Sequence, residues 1–463
     1  MREQSFVVAR SAALAGLVVT AAALATACSW GRFDDFENQA STIVLERPDD
    51  YPRAEFGLQL SAYEAMSMGK RVSRLATNAG AGSPPQIFGV WNGTDVALGA
   101  PLVSVCEGAG GGTCSAEAGA GLAGTSVAGD PCVVVGEPDA NEVTVKCEAA
   151  AMRGIAVAPT SGERFGQAIV GLPESLAAAL VGAPAAAGGG KLYTLTVMPG
   201  GLFASSTPVG GLDLALMGAG GSLGGRIVAT PATGGAMFAT SSHVGTSARV
   251  AWASLTAPGT AVLRACIDDP STPVLGTSMA LGRIRGDDTP DLALGIRDPA
   301  GMADRAGLVA VYDGGMLPDA CSAPTVAPFM ITCPEGLQGI ACAGSGFGAA
   351  VALGDIDADG DDDLVIGAPF AAVAGTLEAG AVYVVAGPLT GTPAASNFVV
   401  LTDSTPDQNA HLGAALAVPR TKLDGTPRGE VAAGAPGANA VYVFLCSGLG
   451  TDTPAIGPRC IPM

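Results

Sequence analysis

The sequence predicts an all-β fold in which short antiparallel strands recur in units of four, and three observations carry that prediction. The 67 glycines and 32 prolines are spread along the 463 residues in turn-like clusters, which favours many short strands over long helices. A strand after a glycine, a strand ending in a small-residue turn and a third strand recur seven times, with a fourth apolar run between several copies. The seventh copy lacks a downstream fourth run, whereas Ile43-Val44-Leu45 precedes the first copy at the spacing that Val399-Val400-Leu401 keeps from the seventh. Four strands per copy describe a propeller blade. The expected architecture is a seven-bladed β-propeller of four-stranded antiparallel blades, closed by the N-terminal strand, which removes the open edges of a linear array.

The first copy runs from Phe56-Gly57 through Val72 to Thr77 and on to Gln86 to Trp91. The second opens near Gly121, continues with Cys132 to Pro138 and ends with Val143 to Cys147. The third has Phe165-Gly166, then Leu180 to Pro184, then Leu192 to Val197. The fourth is degenerate, with Leu223-Gly224-Gly225, Met237 to Ser241 and Val250-Ala251-Trp252. The fifth reads Leu275-Gly276, Leu292 to Gly295 and Val309 to Tyr312. The sixth spans Gly346 to Pro388, and the seventh has Leu412-Gly413, Val431 to Pro436 and Val441 to Phe444. Fourth strands are expected at Gly154 to Ala158, Leu212 to Leu216, Val262 to Ala265 and Phe398 to Leu401. Trp91 and Trp252 fall in third strands, where packing between blades is expected.

The sixth copy carries the chemistry. Its apolar runs Ala349 to Leu353 and Leu364 to Ile366 bracket a loop with Asp355, Asp357, Asp359 and Asp363 at relative positions one, three, five and nine, and Gly360 at the sharp turn. Such carboxylates, with the backbone carbonyl of Asp361, can encircle a calcium ion, which takes about six to eight oxygens. Without a cation, four like charges so close repel one another. The reading is a β-hairpin whose connection holds the metal; the helices and twelfth-position Glu of an EF-hand are not there. The fifth copy aligns without a gap from Gly282 to Asp291, but Arg283 and Arg285 stand where Asp355 and Asp357 stand, leaving Asp287 and Asp291. A guanidinium paired with those carboxylates would replace the charge of the ion. The seventh loop, Arg420 to Glu430, has Lys422 and Arg428 beside Asp424 and Glu430. Both loops are expected to be metal-free.

Phe347-Gly348, Gly367-Ala368-Pro369 and the Asp-x-Asp-x-Asp-Gly-x-x-Asp loop between them resemble the FG-GAP repeat of integrin alpha chains and their bacterial relatives. The resemblance implies that each repeat is one blade and that seven blades close the ring. It also implies that metal loops lie on one face and that partners approach the other. That other face would carry the Cys106 to Cys114 loop, the Gly336 to Gly346 loop and second-to-third-strand loops such as Phe370 to Ala379.

Residues 1–27 read as an export signal: Arg2 and Arg10, an apolar run from Ser11 to Leu24, then Ala25-Thr26-Ala27 before Cys28. The segment resembles a bacterial lipoprotein signal, except that Ala25 stands where Leu is usual. Lipidation at Cys28 would leave 28–42 as a tether and 43–463 as the propeller with a disulfide-stapled tail. Ser29 follows Cys28, and in the enterobacterial sorting pattern a residue other than Asp there favours the outer membrane; ordinary cleavage and secretion is the alternative. Eleven cysteines less Cys28 leave ten, an even number suited to disulfides in an oxidising compartment. Sequence alone does not fix the connectivity, but local spacing suggests Cys106 with Cys114, Cys132 with Cys147, Cys333 with Cys342 and Cys446 with Cys460, and Cys266 with Cys321 by elimination.

A net charge of −19 and a pI near 4.4 make nucleic acid and anionic lipid surfaces poor partners. There is no H-E-x-x-H, no G-x-S-x-G and no phosphate loop, and the two histidines, His243 and His411, make no zinc pair. Arg285-Gly286-Asp287 spells an integrin-ligand tripeptide but reads as a by-product of the degenerate loop. The expected function is that of a monomeric, membrane-tethered, non-enzymatic scaffold, stabilised by calcium, that binds a protein or a surface glycan. The alternatives are a polysaccharide lyase or hydrolase with a carboxylate site in the propeller channel, and a structural envelope protein.

Overall fold

The computed structural model describes residues 42–46, 56–67, 70–79, 86–89, 103–104, 120–147, 154–157, 160–198, 204–212, 221–244, 247–269, 276, 278–297, 306–316, 328–357, 359–419 and 429–446. The export segment, Cys28, Trp91, Cys106, Cys114, Cys321, Cys460 and most of the seventh loop lie outside the described residues.

Six sheets are each built of four consecutive antiparallel strands. They are Phe56–Ser67, Lys70–Ala79, Gln86–Gly89 and Val103–Ser104; then Leu122–Val127, Asp130–Glu137, Glu142–Cys147 and Gly154–Val157; then Ile169–Gly171, Ala179–Ala183, Lys191–Val197 and Ala204–Pro208. The next three are Ile227–Ala232, Gly235–Val244, Ser247–Ala257 and Thr260–Asp269; Ser278–Gly282, Asp291–Ile296, Leu308–Tyr312 and Phe329–Thr332; and Ala350–Gly354, Asp363–Ala368, Ala381–Val385 and Phe398–Leu401. A further four-stranded sheet joins Ala415–Ala417, Gly429–Ala435 and Ala440–Cys446 to Thr42–Glu46, with Thr42 opposite Phe444 and Glu46 opposite Ala440. The first strand of each sheet lies beside the first strand of the next, and Ala415–Ala417 lies beside Phe56–Ser67. The fold is an all-β propeller.

The core sits between sheets rather than inside any one of them. Ala293, Val309 and Val311 of the fifth sheet pack with Phe347, Ile366 and Tyr383 of the sixth repeat, and Val365, Val382 and Val384 pack with Val431 and Tyr442 on the other side. Middle strands are therefore buried on both faces, which is why Asp363–Ala368 and Ala381–Val385 read as continuous apolar runs rather than alternating ones. Phe347 sets its ring edge-on to Tyr383 at 5.2 Å, and Phe165 does the same to Tyr193 at 5.3 Å, so two FG segments anchor identically. Trp252 is 1% exposed and packs against Met279, Leu281 and Leu292 of the next sheet.

Close backbone approach explains the small residues at the other half of the motif. Gly348 N donates to Gly367 O within the sixth blade at 3.0 Å, while a Cβ on Gly367 would run into the Gly413 carbonyl of the next. The same glycine-on-glycine contact joins Gly182 to Gly224 and Gly434 to Gly57. In the degenerate fourth blade, buried Ser241 takes the corresponding place against Gly276.

One strand differs from expectation. The fourth strand of the third sheet is Ala204–Pro208, not Leu212 to Leu216. Ala204–Pro208 reads ASSTP, with Ser205, Thr207 and Pro208 exposed, so an outermost strand facing water leaves no apolar run to find. Cys132 and Cys147 are bonded directly across neighbouring strands, and Cys333 is bonded to Cys342. Cys266 is also disulfide-bonded, to a residue outside the described set. Cys446 ends the strand Ala440–Cys446, and its side chain is outside the described set.

Candidate functional site

Ala350–Gly354 and Asp363–Ala368 form the expected hairpin, with Gly354 opposite Asp363, so the acidic loop is held by two buried strands. Carboxylate oxygens of Asp355, Asp357 and Asp363 lie within 4.8 Å of one another. Asp363 is fully buried and accepts from Ile356 N at 2.7 Å and Gly387 N at 2.9 Å. Asp355 accepts from Gly360 N at 3.2 Å, Asp357 from Asp359 N at 3.2 Å and Asp359 from Asp361 N at 2.9 Å. These short carboxylate-to-amide bonds wind the loop around its own side chains. Asp359 and Asp361 belong to the same loop but not to the three-carboxylate cluster; Asp359 is exposed and Asp361 half-buried.

Burial pushes the Asp363 carboxyl up to about 7, and the charges of Asp357 and Asp359 push the same way against the two amides. Burial, and then the neighbouring charge of Asp359, raises Asp357 as well. Hard oxygen donors that repel one another in a partly desolvated loop are a donor set that fits calcium, whose charge would relieve that repulsion.

Asp362, which the spacing left without a role, ties this loop to the fifth. Its Oδ2 accepts from Arg283 N at 2.7 Å and its own N donates to Arg283 O at 2.9 Å. The Arg283 guanidinium donates to Gly360 O at 2.9 Å and lies 3.8 Å from Asp288. Arg285 pairs with Asp313 at 3.1 Å and lies 4.5 Å over the Phe329 ring. The expectation that these arginines pair with Asp287 and Asp291 is therefore corrected: their long side chains reach past their own loop, one to the neighbouring loop and one to the turn after Leu308–Tyr312. Engaged in this way, Arg285 is not held out for recognition as part of a tripeptide. His411 contacts Glu378 at 3.1 Å and sets its ring against Phe370 at 5.4 Å, while burial lowers the pKa of His243.

The opposite end of the blades, where the first strands begin, surrounds a central cavity of about 600 Å³. Gln59, Asn78, Gln167, Arg226 and Ser278 line one arc, and Ala349, Ala350, Ala414 and Ala415 another. Among the described lining residues there is no carboxylate. The Arg226 side chain is exposed to the water of the channel, yet the surrounding walls strip enough solvent to lower its pKa. At the same end Phe370 is 37% and Leu377 60% exposed on the second-to-third-strand loop of blade six.

Strand pairing defines a β-propeller protein, and the sixth blade carries the loop described above. Residues 347–385 match the FG-GAP repeat family. A solved structure titled "Structure of Dos1 propeller" is similar over 89% of this chain and 98% of its own, with 10% sequence identity and a TM-score of 0.46. No curated protein matches the chain.

Arg226 was not singled out in the sequence, and Arg283 was expected to pair within its own loop, because a repeat read by itself shows neither the channel lining nor the contact with the next loop. The only signal was an arginine standing where sister repeats carry Ala or Asp.

Proposed function

We propose that this is an exported, calcium-stabilised binding and adhesion scaffold, tethered to the outer membrane through a lipid on Cys28, that presents a seven-bladed ring to a protein or glycan partner. The observation that carries the reading is the division of labour between the two ends of blade six. The carboxylate cluster of Asp355, Asp357 and Asp363 closes one end, and the other end exposes Phe370 and Leu377 on an ordered loop. In this reading Asp359 and the Asp361 carbonyl complete the calcium shell, and the ion fixes the hairpin that orders the blade. The pairing of Thr42–Glu46 with Ala440–Cys446 supports closure of the ring by the N-terminal strand. The disulfides support export to an oxidising compartment. Binding is favoured over a channel hydrolase because an acid–base pair needs two carboxylates, and the described channel lining offers none.

The test is capture from cell-surface extracts by the signal-free chain, with calcium and with chelator, using wild type and a Phe370→Ser/Leu377→Ser variant. Retention of a protein or glycan by wild type, lost in the variant and weakened by chelator, is expected. Equal retention by both proteins would overturn the loop face as the binding surface.

A further inference from the structure

We infer that the central channel, at the end where the first strands begin, is a binding pocket for a carboxylate-bearing ligand of sugar size, with Arg226 as its anchor. This deepens the scaffold reading and rests on it, by naming a chemistry for one part of the binding face. The cavity, about 600 Å³, lies within the roughly 300–1,000 Å³ typical of small-molecule sites. It is walled by the first residues of the innermost strands and by the short turns that lead directly into them, Arg226 standing one residue before the strand Ile227–Ala232, so the sheets hold its shape before a ligand arrives.

Arg226 is the sole ionisable side chain among the described lining residues. Thr240 Oγ1 and Ser241 N bond to its backbone carbonyl at 3.0 and 3.1 Å, but among the described residues nothing engages its guanidinium. A guanidinium keeps its charge in such a place, and its planar fork matches a carboxylate with two parallel hydrogen bonds. That the protein carries a net charge of −19 makes this cation more telling, because the chain places no carboxylate of the described lining beside it.

The rest of the wall suggests what the carboxylate is attached to. Gln167 uses its Oε1 for two bonds from Arg164, at 2.9 and 2.7 Å, which leaves its amide N–H groups for a ligand oxygen. Gln59 donates to Ala120 O at 2.7 Å, which leaves its side-chain oxygen as an acceptor for a hydroxyl. Across the channel, the alanines at 349, 350, 414 and 415 offer a smooth apolar surface with room in front of it. A ligand with one carboxylate, several hydroxyls and an apolar C–H face meets all three features, and a uronic acid residue is such a ligand.

Isothermal titration of the full chain with D-glucuronate, D-glucose and acetate tests this. Glucuronate is expected to bind, glucose to show no binding at the same concentrations, and acetate to bind more weakly than glucuronate. Arg226→Gln should weaken glucuronate at least tenfold, and Arg226→Lys should weaken it less, with circular dichroism unchanged in both. Should Arg226→Gln fail to fold, the Arg226 Nε–Hε resonance of the wild type must shift with glucuronate and not with glucose. Equal binding of glucuronate and glucose, no binding of glucuronate, or binding indifferent to Arg226→Gln would overturn the pocket. Acetate binding as tightly as glucuronate would overturn its sugar size. Each of these failures leaves partner capture through Phe370 and Leu377 untouched, so the two readings fail separately.

Discussion

Asp291 and Asp363 hold the same position in adjacent blades: each is fully buried at the start of a second strand and each clamps the loop before it to the turn after the third strand. Asp291 accepts from Ile284 N and Arg285 N, both at 3.1 Å, and from Gly314 N at 3.0 Å; Asp363 accepts from Ile356 N and Gly387 N. The ninth carboxylate of the loop is thus a structural latch in both blades, apart from the ion-binding role proposed for Asp363. That explains why the fifth loop keeps it after losing the first and third carboxylates.

The latch predicts a pH dependence. Burial pushes Asp291 up to about 7, assisted by the charges of Asp287 and Asp313 and opposed by the amides of Gly314 and Arg285. Its folded pKa lies above the unfolded value of about 3.9, so its contribution is fully present below that value and is lost as pH rises through about 7. Carboxyl-resolved NMR should place its midpoint near 7. The fall in the urea midpoint between pH 5 and 8 should be shallower in Asp291→Asn than in wild type, and parallel slopes would refute this.

Packing between blades predicts a steric lesion. Gly367→Ala would drive a methyl group into the Gly413 carbonyl and should cost about 3 kcal/mol in chemical denaturation. Gly391→Ala meets open space and should stay within about 0.5 kcal/mol of wild type. Similar losses from both would show that the Gly367 contact does not set the spacing of the blades.

Cys132–Cys147 closes a sequence separation of 15. Replacing both with Ala should lower stability by about 2 to 4 kcal/mol. Non-reduced peptide mapping should recover this pair and Cys333–Cys342; free thiols at these positions would contradict the pairing.

Much of this was legible in the sequence because the signals are local. Short apolar runs between glycines gave the middle strands, since those strands are buried on both faces, and the spacing of Asp355, Asp357 and Asp363 gave the cluster because one hairpin holds all three. Ala204–Pro208 was invisible because an exposed outer strand needs no apolar residues. The contacts between Arg283 and Asp362 were invisible because they cross from one blade to the next, as was the placing of Arg226 in the channel lining, because no single repeat encodes what its neighbours present.

Calcium binding should depend on the carboxylates of the cluster and not on those of the fifth loop. Asp357→Asn should abolish the calcium heat in calorimetry, whereas Asp287→Ala should leave it intact. With a dissociation constant as weak as roughly 10⁻⁴ to 10⁻³ M, a hundredfold excess of calcium should stabilise the wild type by about 2.7 kcal/mol. Chelation should raise hydrogen exchange across 349–366 more than elsewhere. No calcium heat at millimolar concentration, or its loss in Asp287→Ala, would refute the single site.

The remaining prediction concerns communication between loops. Arg283 pairs its backbone with Asp362 through two hydrogen bonds and donates from its guanidinium to Gly360 O at the tip of the acidic loop. Its side chain is 49% exposed, so solvent screens the contact and the guanidinium should contribute only about 0.5–1 kcal/mol. Since that bond braces the loop in the shape that gathers the carboxylates, Arg283→Ala should weaken calcium about two- to fivefold. The backbone bonds survive the substitution, so the fold should be retained. Asp362→Ala removes the acceptor of the Arg283 amide and should weaken calcium further, although Asp362 is not a member of the cluster. Combining the two changes should give less than the sum of their separate effects, because both act through the same brace. Calorimetry on the four proteins decides it: strict additivity, or calcium affinity unchanged in Arg283→Ala, would show that the fifth loop merely lies beside the sixth.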